Sequence, residues 1–531
     1  MGIFMVLSFL LVVGAVWYYA YSKSRAVNID STEGYFMGGR SLSALAVAGT
    51  VIMTNLSTEQ IVGQNGQSYV GGMEVMAWEV TAAIAITAFA TIFLPKYFRL
   101  GINTISDFLE IRYDVFTKRV VSLLFIITYI VSFLPVVLYS GALVFNQLFK
   151  VDQIFNVNPM TGIVIVVAAM GLVGLAYLLF GGLSLSATSD TIYGFGLIVL
   201  GLSIPVLGLI KLGSGSFVQG LDHVVTNTPW LLNSVGAVDS KFVPWPALFT
   251  GMLFNNLYFW CTNQMIVQKS LAAKNLVEAQ KAQFIIGFFK VFGALFLVFP
   301  GILGRNIFGD AFLSNPDSVY PALVTEVLPN YLQGLFAAVI FGAVLSSFVG
   351  ALNSTATLLS LDFYKAYRPE ADDEQVVRVA KRLTIAVGVA AMIVAPFIAF
   401  APSGLYALVQ EINGLYSISL LTIILFAFYS KTATAKAAKF TLIGHVLFYG
   451  LFKLILPNIH YLYIFAIMFV VDCLIMVVVS KMQKEEQYEL DVFESYEEVE
   501  EWKYTKVASV ILITTVLLTY LAFSPLGLAS L

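Results

Sequence analysis

The stretch "TNLSTEQIVGQNGQSY" (54–69) puts six polar residues among its first seven, one of them ionisable, directly after the oily run "SALAVAGTVIM" (43–53). An ionisable side chain at membrane depth costs at least ~2.5 kcal/mol on insertion scales, so such a cluster needs a partner or a task. The rest of the chain defines the medium. Of 531 residues, 59% are hydrophobic and 11% charged, with a mean hydropathy of +0.86; a soluble domain carries about 25% charged residues. Apolar runs long enough to cross a bilayer recur from end to end and predict an all-α polytopic membrane protein.

Runs of roughly twenty residues predict helices near 2–22, 43–70, 74–98, 119–148, 160–180, 187–211, 245–268 and 282–304. Six more fall near 332–364, 376–400, 402–430, 435–456, 459–480 and 505–527, fourteen transmembrane helices in all. The first run has no basic n-region and no A-x-A-like site, and so reads as a span, not a signal peptide. An even count puts both termini on one side, and basic residues decide which. One set of alternate loops holds 23 of them, Lys269 included; the other holds five, Lys150, Lys211, Lys241, Arg305 and Lys453. The crowded set is expected to face the cytoplasm, with both termini outside.

"TISDFLEIRYD" (104–114) and "LAAKNLVEAQK" (271–281) read as short interfacial helices, the first capped by Thr104 or Ser106. Residues 212–244 read as an outer loop. Nine of the 32 acidic residues crowd into 484–506, a solvated inner loop that accounts for the net charge of −3 and signals no nucleic-acid partner. Cys261 and Cys473 lie in apolar context, and His223, His445 and His460 are scattered, so neither a disulfide framework nor a metal cluster is expected. With no nucleophile–base pair either, an enzyme is poorly supported.

A second polar interruption, "NNLYFWCTNQ" (255–264), comes five helices after the first. Interrupted helices in corresponding positions of two five-helix units point to an inverted-repeat transporter, whose unwound carbonyls at the breaks can coordinate Na⁺. The repeats would span 43–211 and 245–430. One helix precedes them in 1–42, the loop 212–244 joins them, and three helices follow in 431–531, with the acidic inner loop at 482–504. The symmetry is positional only.

A third informative run is "GAVLSSFVGALNSTATLLSLDFY" (342–364). Ser346 and Ser347 either bond back to carbonyls one turn away or offer oxygens to a hard cation, and Asp190 in "SATSDTIYG" would add negative charge. Of the other ionisable groups at depth, Glu79 in "MAWEVTAA" and Lys290 in "IIGFFKVFGALF" are expected partners. Two readings of that pair stay open, a purely structural ion pair or one that lines a cavity. Glu59, Glu411 and Asp472 have no assigned role.

Seven stretches, "EGYFMGGRSL", "NLSTEQIVGQNGQSY", "WEVTAA", "FGGLSLSATSD", "NNLYFWCTNQMIVQKSLAAKNLVEAQK", "SSFVGALNSTATLLSLDFYKAY" and "VQEINGLYS", resemble the sodium:solute symporter family, within it the sodium/glucose cotransporter branch. They run in the family's order over about 33–420. The resemblance implies a leucine-transporter-like fold of fourteen helices with both termini outside. It implies a sugar site of Gln60, Glu79, Asn256, Lys290 and Gln410, whose carboxylate, amide and ammonium groups suit hydroxyls that both donate and accept. The inner-gate tyrosine of the family falls at Phe259; Trp78 and Tyr406 fall at outer-gate positions, and Gln64 stands where a third apolar residue is expected. Ala82 replaces a serine of a galactose-transporting relative.

The implied Na⁺ site uses the carbonyls of Met53, Leu56 and Ala343 with the hydroxyls of Ser346 and Ser347. Members with a second Na⁺ use the counterpart of Asp190 plus hydroxyls at positions that are Val349 and Gly350 here. One Na⁺ is therefore expected, with Asp190 left to couple or stabilise that site. The implied function is Na⁺-driven import of a hexose-like sugar across the cell membrane. A non-sugar solute (inositol, sialic acid, a carboxylate) and a membrane sugar sensor are the competing expectations; Glu79 argues against an acidic solute.

Overall fold

The computed structural model describes residues 3–400, 405–483 and 499–529, with residues 3 and 405–408 described by backbone alone. Most of the acidic loop 482–504 and the side chain of Tyr406 therefore lie outside the described residues. Among those described, the chain is all-helical, without a strand.

The helix expected over 43–70 is two, Ala44–Asn55 and Thr58–Gly71. Leu56 (φ −90°, ψ 66°) and Ser57 (φ −80°, ψ 173°) leave the helical region inside the polar stretch. A helix end strands its last carbonyls, and each costs several kcal/mol if left unpaired in hydrocarbon. The Ser347 hydroxyl answers for two of them, reaching Thr54 O at 2.8 Å and Met53 O at 3.3 Å. The second interruption breaks likewise. Gly251–Cys261 ends at Thr262, and Gln264–Leu271 restarts at Asn263, whose side chain accepts from the Met265 N–H at 3.0 Å. A third break was not foreseen: the span expected over 402–430 is Leu405–Asn413 and Ser417–Tyr429.

The spans expected at 160–180 and 187–211 are one run of 54 residues, Pro159–Leu212. At 1.5 Å per residue that is about 80 Å, more than twice the roughly 30 Å hydrocarbon core. Its interruption is a single glycine, not a loop. Gly182 holds φ 54°, ψ −152°, and a Cβ there would meet Tyr35 O at 2.8 Å.

Ten described runs are long and apolar enough to cross a membrane, so the chain is a multi-pass membrane protein. The reading of fourteen crossings adds the three broken helices and the second half of Pro159–Leu212. Ile105–Arg112 is the expected interfacial helix, with a Thr104/Asp107 capping box. Residues 271–281 are not one: Leu276 opens the long helix Leu276–Leu297 behind an Asn275 cap. Nor is 212–244 all loop, since Phe217–Asn227 is helical.

Asn330–Lys365 is the central element, with 94% of its most apolar window inside the protein against 22% for the peripheral Thr505–Ala522. It packs on Pro159–Leu212, on Ile3–Ser24 and on Ala44–Asn55. That position delivers Ser346 and Ser347 to the first break.

Candidate functional site

A small cavity opens where the broken helices meet. Gln264–Leu271 packs on Ala44–Asn55, and Leu405–Asn413 packs on Thr58–Gly71. Gln60, Asn256, Lys290 and Gln410 line this cavity with Phe259 and Trp78, so six residues expected at the site come together. Lys290, 2% exposed, is held from three sides. Its Nζ lies 2.5 Å from Glu79 Oε2 and 2.7 Å from Asn55 Oδ1, and 5.5 Å from the Trp260 ring centroid, within the range of a cation–π contact.

Glu79 is fully buried one layer behind the cavity wall, with its other oxygen accepting from Gln60 Nε2 (2.5 Å) and Gln64 Nε2 (2.9 Å). Gln64, expected as a polar stand-in at the outer gate, is thus part of the network that holds the carboxylate. A carboxylate only accepts, so Gln60 must present its nitrogen to Glu79, which leaves its Oε1 for a solute. Asn256 is oriented the same way. Its Nδ2 meets Thr81 Oγ1 at 2.8 Å, and Thr81 gives its own proton to Ala77 O at 2.6 Å. On the cavity wall Trp78 stacks on Tyr461, ring centroids 6.4 Å apart and planes 12° from parallel. Phe259, also on the wall, makes an edge contact with Trp260 at 5.4 Å.

Of the residues expected to hold Na⁺, the structure joins Met53, Ser346 and Ser347. Thr54 links them, its hydroxyl 3.0 Å from Ser346 Oγ and its carbonyl taken by Ser347. Leu56 and Ala343 are both fully buried. Asp190 accepts from Thr50 Oγ1 at 2.6 Å and Ser186 Oγ at 3.1 Å.

The residue that sequence reasoning missed here is Lys269, assigned above to a cytoplasmic loop. It is 2% exposed, and its ammonium lies 3.6 Å from Asp190, 2.8 Å from Thr50 Oγ1 and in hydrogen-bond contact with the Thr54 hydroxyl. Gly350 makes the room, since a Cβ there would stand 3.2 Å from Lys269 Nζ. The signal was present in the sequence: Gln264–Leu271 carries its polar pattern past the expected helix end at 268, through Gln268 to Lys269. Asn55, Trp260 and Tyr129 were also missed. The Tyr129 hydroxyl bonds Asn263 Oδ1 at 2.9 Å beside the second break.

Paired breaks, a cavity of amides and one buried ion pair, and hydroxyls on exposed carbonyls define a cation-coupled solute carrier. Residues 35–444 match the model of the Sodium:solute symporter family, and the chain belongs to that family of Na⁺-coupled transporters. It is 40% identical over 522 residues to an uncharacterized symporter, YidK, of Escherichia coli K12, covering 98% of this chain and 90% of that one. It is 29% identical to a sodium/glucose cotransporter of Vibrio parahaemolyticus over 82% of each. A mouse sodium/myo-inositol cotransporter is 27% identical, with 89% of this chain and 72% of that one covered. A solved Na⁺-coupled sialic acid symporter shares the fold, with a TM-score of 0.78 at 18% identity over 92% of this chain and 99% of that one.

Proposed function

We propose that this symporter imports a neutral, hexose-like sugar with one Na⁺ per cycle, by alternating access across the cell membrane, with both termini outside. The observation that carries the reading is the Lys290–Glu79 pair set among Gln60, Asn256 and Gln410. Because the pair neutralises itself, it offers hydroxyl partners without a free positive charge, which suits a polyol and not an acid. The rings of Phe259 and Trp78 supply apolar faces for a pyranose. The names of the glucose and inositol cotransporter relatives point the same way.

Na⁺ from outside binds among the carbonyls of Met53, Leu56 and Ala343 and the hydroxyls of Ser346 and Ser347, and favours the state that accepts solute. Solute then lets the Trp78–Tyr461 lid close. Na⁺ leaves into a cell where it is scarce, and the solute follows past Phe259. One Na⁺ is supported by Lys269, whose ammonium already sits against Asp190, while Val349 and Gly350 bring no hydroxyl. The domain reading, two repeats at 43–211 and 245–430 with three helices after them, belongs to the same proposal.

The test is uptake into proteoliposomes under an imposed inward Na⁺ gradient, with labelled D-galactose, D-glucose and myo-inositol. Na⁺-dependent accumulation above equilibrium is expected. Saturable binding without accumulation would favour a sensor instead.

A further inference from the structure

Glu59 is the member of "TNLSTEQ" that neither the Na⁺ site nor the expected sugar site uses. It stands in the first turn of Thr58–Gly71 and lines the cavity beside Gln60, 4% exposed. Its Oε1 takes the Ser57 hydroxyl, and its Oε2 has no hydrogen-bond partner among the described residues. Ser140, the other hydroxyl beside it, gives its proton to Val137 O at 3.1 Å. The first turn is the positive end of the helix macrodipole, so an ionised carboxylate is favoured there.

Charge around the cavity is then uneven. Lys290 is matched by Glu79, and every other lining residue apart from Glu59 is neutral, so an ionised Glu59 gives the wall one negative charge in excess. Gln60 Oε1 and Asn256 Oδ1 are left to accept from a solute, and Glu59 Oε2, buried without a hydrogen-bond partner, is a third acceptor beside them. Hydroxyls can satisfy all three, whereas a carboxylate satisfies none and is repelled by the third.

We propose that Glu59 is a specificity-determining residue of this site, its Oε2 accepting a hydroxyl of a neutral polyol and its charge turning away solutes that carry a carboxylate. The proposal rests on the sugar reading of the cavity. The experiment compares wild type and Glu59→Gln in Na⁺-driven proteoliposome uptake of labelled D-galactose, D-glucose, myo-inositol, D-galacturonate and N-acetylneuraminate, with D-galacturonate also tried as competitor. Na⁺-induced thermal stabilisation of each protein serves as the folding control.

Wild type is expected to take up a neutral polyol and ignore the acids. Glu59→Gln, with its Na⁺ stabilisation intact, should raise KM for that polyol about tenfold or more, keep kcat, and let D-galacturonate compete. Polyol uptake with unchanged KM and unchanged exclusion of the acid would overturn the role of Glu59 and leave the sugar reading standing. Uptake of an acid by wild type would overturn both.

Discussion

Lys290 and Glu79 cannot be removed one at a time without stranding a buried charge. Breaking such a pair from one side costs about 3–5 kcal/mol, while replacing both halves with neutral groups of similar size is often tolerated. Lys290→Ala should therefore melt well below wild type in detergent. The double variant Lys290→Met/Glu79→Gln should recover most of that loss, retain its stabilisation by Na⁺, and still fail to take up solute. Full uptake by the double variant would reduce the pair to a structural clamp. Ser347 gives the complementary case. Its hydroxyl serves the carbonyls of Met53 and Thr54, so Ser347→Ala should raise the Na⁺ concentration for half-maximal uptake about tenfold. Solute binding without Na⁺, followed by tryptophan fluorescence, should change little. Equal loss of both would count against the cation assignment. Where one Na⁺ binds, activation by Na⁺ should be hyperbolic with a Hill coefficient of about 1.

Among elements, the breaks carry the function, and two of three were legible. "NLSTEQ" and "NNLYFWCTNQ" announce themselves because polar side chains inside an apolar helix need partners that only an opened backbone or a cavity provides. The third break, around Gly414, follows the polar residues Gln410, Glu411 and Asn413, a shorter cluster than the other two, and glycine is common in membrane helices without breaking them. Gly182 was hidden for the same reason: "FGG" in an oily run fits a continuous helix or a loop equally well. Glu79 and Lys290 could be paired from burial cost alone. Gln64 and Trp260 could not, because a neutral side chain carries no charge that demands a partner and nothing in the linear pattern sets the rotation of one helix against another. Gly182→Ala tests the kink. A side chain at φ 54°, ψ −152° costs about 1–3 kcal/mol in backbone strain and pushes on Tyr35 O. A lower melting temperature is expected, and a wild-type melt would mean the kink relaxes freely.

At the scale of the whole molecule, Ala435–Ile455 and Tyr461–Met482 brace the third break. His445 sits 2.7 Å from Asp472 and 2.9 Å from Gly414 O, and the Tyr449 hydroxyl donates to Glu411 O at 3.1 Å. These contacts pin the third break, and with it the helix that carries Gln410, to the C-terminal part of the chain. They also give Asp472, which had no assigned role, a partner in His445. Orientation remains the proposal of the basic-residue split, 22 to five once Lys269 is withdrawn from the loops. It can be checked on intact cells in a Cys261→Ser/Cys473→Ser background. A membrane-impermeant maleimide should label Leu526→Cys, where the side chain is 85% exposed, and reach Thr432→Cys only after permeabilisation. The reverse pattern would invert the topology.

With the single Na⁺ per cycle proposed above, Lys269 would set a ceiling on how far such a carrier can concentrate its cargo. Its ammonium is tied to the chain, so the charge resting against Asp190 never travels and does no work on the solute. A tenfold Na⁺ gradient contributes about 1.4 kcal/mol and a 100 mV potential about 2.3 kcal/mol per charge. For one travelling ion these hold the internal-to-external solute ratio to about 500-fold. A second travelling ion would square that ratio while drawing twice the inward current per molecule. That proposed stoichiometry would suit solutes met at moderate concentration, where throughput per ion matters more than scavenging the last traces.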